Sequence, residues 1–342
     1  MIREAIAKLV ERVDLTGLEA EAAMGEIMRG EATPAQITAF ITALRMKGEK
    51  VSEIVGCARA MRASALKVNC HQQPLVDTCG TGGDASGTFN ISTIAALVLA
   101  GAGVAVAKHG NRSVSSRCGS ADLLEALGVK IDLGPEEVGR CIDEIGIGFL
   151  FAQRLHPAMK HAAAARKETG IRTIFNILGP LANPAGATIQ LMGAYSAALT
   201  VTLAEALKSL GTKRAVIVHG HGGLDELSTT GTNQVVYLNN NEISRHQVTP
   251  EELGLPIAPI EALLGGTPQE NAAIALEVLH SKPGPKRDVV LLNAAAGMMV
   301  SGKANNMADG LAIAVEAIDS GKALGKLEAL ISLTQRLAAG AA

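Results

Sequence analysis

From Ile2 to about Ala65 the apolar residues recur at helical spacing. The clearest window is TPAQITAFITALRMKG (33 to 48), with Thr33 as N-cap, Pro34 at the first helical position and Gly48 beyond the end. VSEIVGCARAMRASA (51 to 65) repeats the logic, with Ser52 near its start. Around Pro74 to Asp77 the period changes, which predicts a small helical domain over residues 1–70 and a second domain over 71–342. Beyond the boundary, short apolar runs alternate with helical segments: PLVDTC, NISTIAALVLAGAG, VAVAKHG, SADLLEALG, PEEVGRCIDEIG and GFLFAQ. Strands separated by helices imply right-handed crossovers and a mainly parallel sheet. TIQLMGAY and KRAVIVHG read as further strands, and NQVVYLNNNEISRHQV as a hairpin, so the sheet is mixed. From about Thr267 the chain returns to helix, with caps such as Asp309, and these helices cover the sheet. The predicted class is α/β: a small N-terminal helical domain plus a larger domain with a mixed, mainly parallel central sheet flanked by helices.

Composition narrows the function classes. The chain has 342 residues, 31 Lys+Arg against 33 Asp+Glu, and a net charge of -2, so nothing global argues for nucleic acid or an anionic membrane surface. Five Phe, two Tyr and no Trp leave few platforms for base stacking. The five cysteines are odd in number and widely spread, which predicts neither a disulfide framework nor a zinc site and suits a reducing cytoplasm. No window reaches the roughly 18 to 20 apolar residues of a membrane span, so the expectation is a soluble, unexported protein.

Four stretches carry candidate chemistry. DTCGTGGD (77 to 84) lies between a predicted strand and a helix start bearing Asn90, Ser92 and Thr93. A helix N-terminus offers free N–H groups and positive dipole, so phosphate or pyrophosphate is the natural ligand, with a tight turn and an ordinary Asn90 or Ser92 cap as the alternative. The stretch is neither GxGxxG nor GxxxxGK[ST], so dinucleotide and NTPase readings lack their residues. AKHGNRSVSSRCGSAD (107 to 122) reads as a cationic, donor-rich loop between strand and helix, either a second phosphate clamp or a solvated loop capped by Ser120. Two such loops after successive parallel strands meet at the carboxyl edge of the sheet, where ligands of open α/β folds bind.

HGHGGLDELSTTG (219 to 231) follows another predicted strand, and its adjacent Asp225 and Glu226 suit Mg²⁺ shared with substrate phosphates, or form a solvated acidic turn. His219 and His221 share a strand face as candidate transition-metal ligands but lack a third. The fourth stretch, 151 to 184, starts an Ala-rich helix at His156 and Pro157. On that helix Arg166 either presents a bidentate fork to a carboxylate or is ordinary surface. No GxSxG motif and no recognisable catalytic cysteine is present, so catalysis by positioning and charge stabilisation is expected.

Taken together, GTGGD (80 to 84), NIST (90 to 93), KHGNRSVSS (108 to 116), GSAD (119 to 122), HPAM (156 to 159), FNILGPLANP (175 to 184) and Asp225-Glu226 before LSTTG resemble the anthranilate phosphoribosyltransferase family nearly end to end. The resemblance implies transfer of the phosphoribosyl group of 5-phosphoribosyl 1-pyrophosphate (PRPP) to anthranilate, in tryptophan biosynthesis, with two Mg²⁺ ions. By matching position, the donor site comprises Gly80, Gly83, Asp84 and Thr88, then Asn90, Ile91, Ser92 and Thr93. It continues through Lys108, His109, Gly110, Asn111 and Arg112 to Ser113, Val114, Ser115, Ser116 and Ser120. Gly80, Asn111 and Arg166 are implied to contact anthranilate, and Ser92, Asp225 and Glu226 to bind metal; beside these, His109 is the candidate to orient the amine or take its proton late.

The family's architecture also implies a cytoplasmic homodimer formed through the helical part, to which a segment around 160 to 185 contributes. Two positions depart from the pattern: Cys118 stands where many relatives have serine, and AAAAR lacks the proline often found two residues before the matching arginine. The rival readings are a pyrimidine nucleoside phosphorylase-like enzyme and a nucleic-acid-binding relative of the same fold.

Overall fold

Helices α1 (Ile2–Val10), α2 (Gly17–Met28), α3 (Pro34–Lys47) and α4 (Val51–Ala63) lead the computed structural model, which describes residues 1–84, 86–113 and 117–340. Thr33 and Gln36 close a capping box ahead of α3, with Pro34 at its first position and Gly48 at its end. The start of α4 is set by Glu53 and not by Ser52. Glu53, fully buried, accepts from Lys50 N (2.8 Å), Leu15 N (2.9 Å) and Lys47 Nζ (3.0 Å), while Ser52 donates to Leu15 O. A buried carboxylate is tolerable here because three donors surround it.

The sheet holds β1 (Val76–Gly80), β2 (Val106–Gly110), β3 (Ile147–Phe151), β4 (Ile189–Gly193), β5 (Arg214–His219), β6 (Asn233–Asn239) and β7 (Glu242–Val248), in the order β3-β2-β1-β4-β5-β6-β7. The first five are parallel and the last two antiparallel. Asn240 and Asn241 turn the β6–β7 hairpin at φ 45 and 76, the left-handed pair that a two-residue hairpin loop requires.

Helices fill the crossovers: α5 (Ile91–Gly101) after β1; α6 (Ser120–Ala126) and α7 (Pro135–Ile145) after β2; α8 (Ala152–Leu155), α9 (Lys160–Thr169) and α10 (Phe175–Leu178) after β3; and α11 (Leu199–Ser209) after β4. Then α12 (Pro268–Leu279), α13 (Pro285–Ser301), α14 (Met307–Asp319) and α15 (Lys322–Ala338) complete the chain. The cap of α14 is Asn306, whose side chain accepts Asp309 N (2.8 Å); Asp309 sits in the first turn and not at the cap.

Alternation along β5 sends Val216 and Val218 to one apolar core, shared with α5 and α13, and Ala215 and Ile217 to another. That second core runs unbroken from α1–α4 through Ala162, Ala165, Ile174 and Phe175 to Leu203 and Leu207 of α11 and the sheet face. Among the described residues no helix is long and apolar enough to cross a membrane.

Both strands that lead into the glycine and lysine stretches run further than the apolar pattern suggests. Asp77 to Gly80 belong to β1, and Lys108 to Gly110 to β2, so Lys108 and His109 are buried sheet residues and not part of an open loop. Most of their polar groups are satisfied inside the protein, which hides them from a hydrophobicity reading. Asp77 accepts His109 N (3.0 Å) and Asn183 Nδ2 (2.8 Å), and Lys108 Nζ donates to Thr78 O (2.5 Å).

Candidate active site

Between β1 and β4 the strand order reverses, the place where an open α/β sheet leaves a crevice at its carboxyl ends. Gly80 and Gly193 pair across it, and the segment after β5 folds back over both. A Cβ on Gly80 would lie 2.2 Å from Asp225 Oδ2, and one on Gly193 1.5 Å from Asp225 O. The bare backbone at these two positions therefore makes room for Asp225. Gly82 N donates to Asp225 Oδ2 (2.7 Å), Asp225 N reaches Asp84 Oδ2 (3.4 Å), and Ser92 N donates to Glu226 Oε1 (3.2 Å). The acidic pair thus bridges the glycine loop and the N-terminus of α5.

This loop owes its shape to Asn233, fully buried at the start of β6. Its Oδ1 accepts Ser228 N (2.7 Å), and its Nδ2 donates to the carbonyls of Ser228 (3.0 Å), Gly231 (3.1 Å) and Val248 (3.1 Å). Asn233→Ala strands several buried backbone groups, so we expect a loss of about 2 kcal/mol, read as a lower urea midpoint at unchanged slope.

Burial pushes the Asp225 carboxyl up to about 7, helped by the charge of Asp84, and the Glu226 carboxyl up to about 8, helped by Asp225 and opposed by Lys108. Lys108 is itself pulled down by burial and held up by Asp77. These carboxyls resist ionising together beside a single lysine, and a hard divalent cation would favour their charged forms. Among the described residues no three His, Cys, Asp or Glu groups are placed to enclose a metal by themselves, so such an ion needs oxygen ligands from substrate or water.

At the start of α5, Asn90 occupies the cap position without capping. Its Nδ2 donates to Cys118 O (3.0 Å), and its Oδ1 accepts from Asn271 Nδ2 (2.9 Å) and the Cys118 thiol (3.3 Å). Ser92 Oγ lies 3.5 Å from Lys108 Nζ, Thr88 Oγ1 lies 3.2 Å from Ser86 Oγ, and Thr93 Oγ1 is buried without a partner among the described residues. Burial raises the Cys118 thiol to about 11, so it is no ready nucleophile.

The second loop is organised by Asp122. It accepts Gly119 N (2.9 Å) and Ser113 N (3.0 Å), making Gly119 and not Ser120 the cap of α6, while Ser120 Oγ donates to Asn111 O (3.3 Å). Arg112 is spoken for: it pairs with Asp122 (2.9 Å) and, through two nitrogens, with Glu125 (2.8 and 3.2 Å). It also lines a cleft of about 680 Å³ beside Lys130, Asp132 and Arg154, apart from the crevice. Val114, Ser115 and Ser116 lie outside the described residues.

His109 donates from Nδ1 to Gly179 O (3.1 Å), since a carbonyl only accepts, leaving Nε2 as a buried lone pair with no partner among the described residues. Its ring centroid is 5.1 Å from that of His156. Burial and this neighbour push His109 down to about 3, and burial pushes His156 to about 4, so both rings are neutral at pH 7. Arg166 lies 5.1 Å over the Phe175 ring, half-buried, with no carboxylate paired to it among the described residues. His219 and His221 make no joint site; they turn to Ala194 O (2.8 Å) and Thr230 Oγ1 (2.9 Å) respectively.

Sequence reasoning passed over Asp77, Asn183, Asn271 and Arg172. Asp77 and Asn183 stood inside quoted stretches, but nothing local distinguishes them. Arg172 donates to Gly83 O and lies 4.5 Å over the Tyr195 ring.

The profile described as "Glycosyl transferase family, helical bundle domain" matches residues 3–65, and "Glycosyl transferase family, a/b domain" matches residues 72–324. The anthranilate phosphoribosyltransferase of Moorella thermoacetica is 55% identical over 339 residues, covering 99% of this chain and 100% of that one. The crystal structure of the Thermus thermophilus enzyme of that name superposes with a TM-score of 0.93 at 47% identity, covering 97% of this chain and 99% of its own. The Saccharomyces cerevisiae enzyme in complex with PRPP and Mg gives 0.91 at 30% identity, covering 98% of each chain.

Proposed function

The chain belongs to the anthranilate phosphoribosyltransferase family, and from that premise we infer that it moves the phosphoribosyl group of PRPP onto the amino group of anthranilate, releasing diphosphate, in tryptophan biosynthesis. The observation that carries the site assignment is the acidic pair Asp225-Glu226 folded over Gly80 and Gly193 against the start of α5.

Ser92, Asp225 and Glu226 would hold Mg²⁺, which we take as two ions. When bound, the metal neutralises the diphosphate and the charge it gains on leaving. The chain's own contribution is positioning. Backbone N–H groups of the glycine loop and of α5, together with the Lys108 ammonium, face the negative charge of the donor. Asn90, Thr88 and Thr93, with Gly83, Asp84, Ile91 and the 108–116 stretch, complete the donor site in this reading, and Ser120 fixes the end of that stretch. Arg112 reaches the donor only on leaving Glu125; otherwise it anchors the loop. As the C1–O bond to diphosphate breaks and C1 gains positive character, the amine lone pair of anthranilate attacks C1; the resulting ammonium then loses its proton to water or to the departing diphosphate, so the nucleophile needs no strong base.

Gly80, Asn111 and Arg166 receive the acceptor, whose carboxylate suits the Arg166 fork. The bare Nε2 of His109 accepts a hydrogen bond from the amine and so orients it. We expect His109→Ala to lower kcat/KM for anthranilate about tenfold with the KM for PRPP unchanged in steady-state kinetics; unchanged turnover would sink this role. The reaction itself is checked by anthranilate fluorescence decay in the presence of PRPP, with and without Mg²⁺. No decay from folded protein would return belief to a nucleoside phosphorylase.

The same reading places the protein in the cytoplasm as a homodimer. Val10, Leu18 and Met46, 65%, 77% and 73% accessible, are large apolar side chains that the helical domain leaves exposed and that such a contact would cover.

A further inference from the structure

We propose that Arg172 serves the donor: its guanidinium fixes the turn that receives the diphosphate, and offers its remaining N–H groups to that diphosphate as it leaves. The proposal rests on the transfer reading above.

Arg172 leaves the chain at a defined point. Gly170 ends α9 in the left-handed region, and Thr173 and Asn176 lock the following turn through Thr173 N to Asn176 Oδ1 (2.9 Å) and Asn176 N to Thr173 O (2.9 Å). From there the guanidinium lies over the Tyr195 ring, its Cζ 4.5 Å from the centroid, and donates through Nη2 to Gly83 O. Tyr195 N in turn donates to Thr81 Oγ1 (3.0 Å), so the Arg172–Tyr195 stack holds the glycine turn at both of its ends.

Charge separates this arginine from its neighbours. Arg112 is neutralised by Asp122 and Glu125, and the buried Lys108 ammonium spends one of its N–H groups on Thr78 O. Arg172 makes no ion pair among the described residues, although Asp84 is the next residue after its carbonyl partner. A planar fork seated on an aromatic ring, with N–H groups to spare and no counter-ion, is suited to a phosphate oxygen in a way a lysine is not. It also sits on the segment that carries Arg166, so one stretch of chain reaches both substrates.

The test uses full-length protein and reads inhibition by inorganic diphosphate, its direct binding by calorimetry, and the KM of each substrate. Arg172→Ala should weaken diphosphate at least tenfold and raise the KM for PRPP by a similar factor, leaving the KM for anthranilate within twofold. Arg172→Gln keeps an amide able to bond Gly83 without the charge, and should lose diphosphate affinity nearly as far. Tyr195→Leu should lose part of it, and Tyr195→Phe none.

Diphosphate binding within twofold of wild type in either Arg172 variant overturns the proposal, as does an equal rise in both KM values, which marks general disruption. If Arg172→Ala fails to fold, the Gln variant carries the same reading. Calorimetry with diphosphate needs no turnover, so a wild-type protein that binds it but consumes no anthranilate refutes the transfer reading separately.

Discussion

Replacing Asp225 by Asn and Glu226 by Gln together should cut turnover by about a thousandfold or more, with the protein folded and at least as thermostable as wild type. The activity side follows from charge: these carboxylates are the proposed hold on Mg²⁺, and their amides keep the shape without it. The stability side follows from the titration. Burial raises both groups well above the ordinary carboxylate range, to about 7 and about 8, with the charge of Asp84 adding to it at Asp225 and that of Asp225 at Glu226. A raised acid favours the protonated fold, so its contribution is present below the unfolded pKa and is lost as pH rises through the folded one. In chelator, wild-type stability should therefore fall between about pH 4 and 8, and the variant should escape that part of the fall. Calorimetry at pH 5 and pH 8 checks it. Turnover within tenfold of wild type, or a variant less stable at pH 8, would refute the account.

Gly193→Ala should be nearly as damaging, without touching a charged group. The new methyl would lie 1.5 Å from the Asp225 carbonyl, and because the obstacle is backbone no rotamer change relieves it. The loop must lift, carrying Asp225 away from Gly82 N and Glu226 from Ser92 N. We expect activity to drop about a hundredfold and stability by about 2 to 4 kcal/mol, measured by initial rates and urea unfolding. Gly325→Ala is the control: it meets nothing within 4 Å in α15 and should stabilise slightly. Normal rates in Gly193→Ala would show that the loop's placement is not what the chemistry needs.

Much of this architecture is legible in the sequence, because its signals are local. Thr33 and Pro34 announce α3, the NQVVYLNNNEISRHQV stretch announces the β6–β7 hairpin, and alternating strand and helix runs announce the parallel sheet. What stayed hidden depends on register and distance. Lys108 and His109 look like loop residues until Asp77 and Thr78, on the next strand, are seen to satisfy them. Arg112 reads as a phosphate ligand, yet Glu125, a full helix further on, claims it. Asn271 supports Asn90 across 181 residues, and Arg172 reaches Gly83 across 89, spans over which no periodicity survives. Gly80 was legible as a bare position, but its occupant, Asp225, was not.

The apolar seam that joins α1–α4 to α11 and β5 bears on how the chain is made. The ribosome delivers the four helices first, and the surface that covers them emerges roughly 150 residues later, about 10 to 30 s at ordinary elongation rates. Throughout that interval the face of α4 that packs on α11 lacks its final partner, and the nascent bundle must be shielded by chaperones or by transient association with itself.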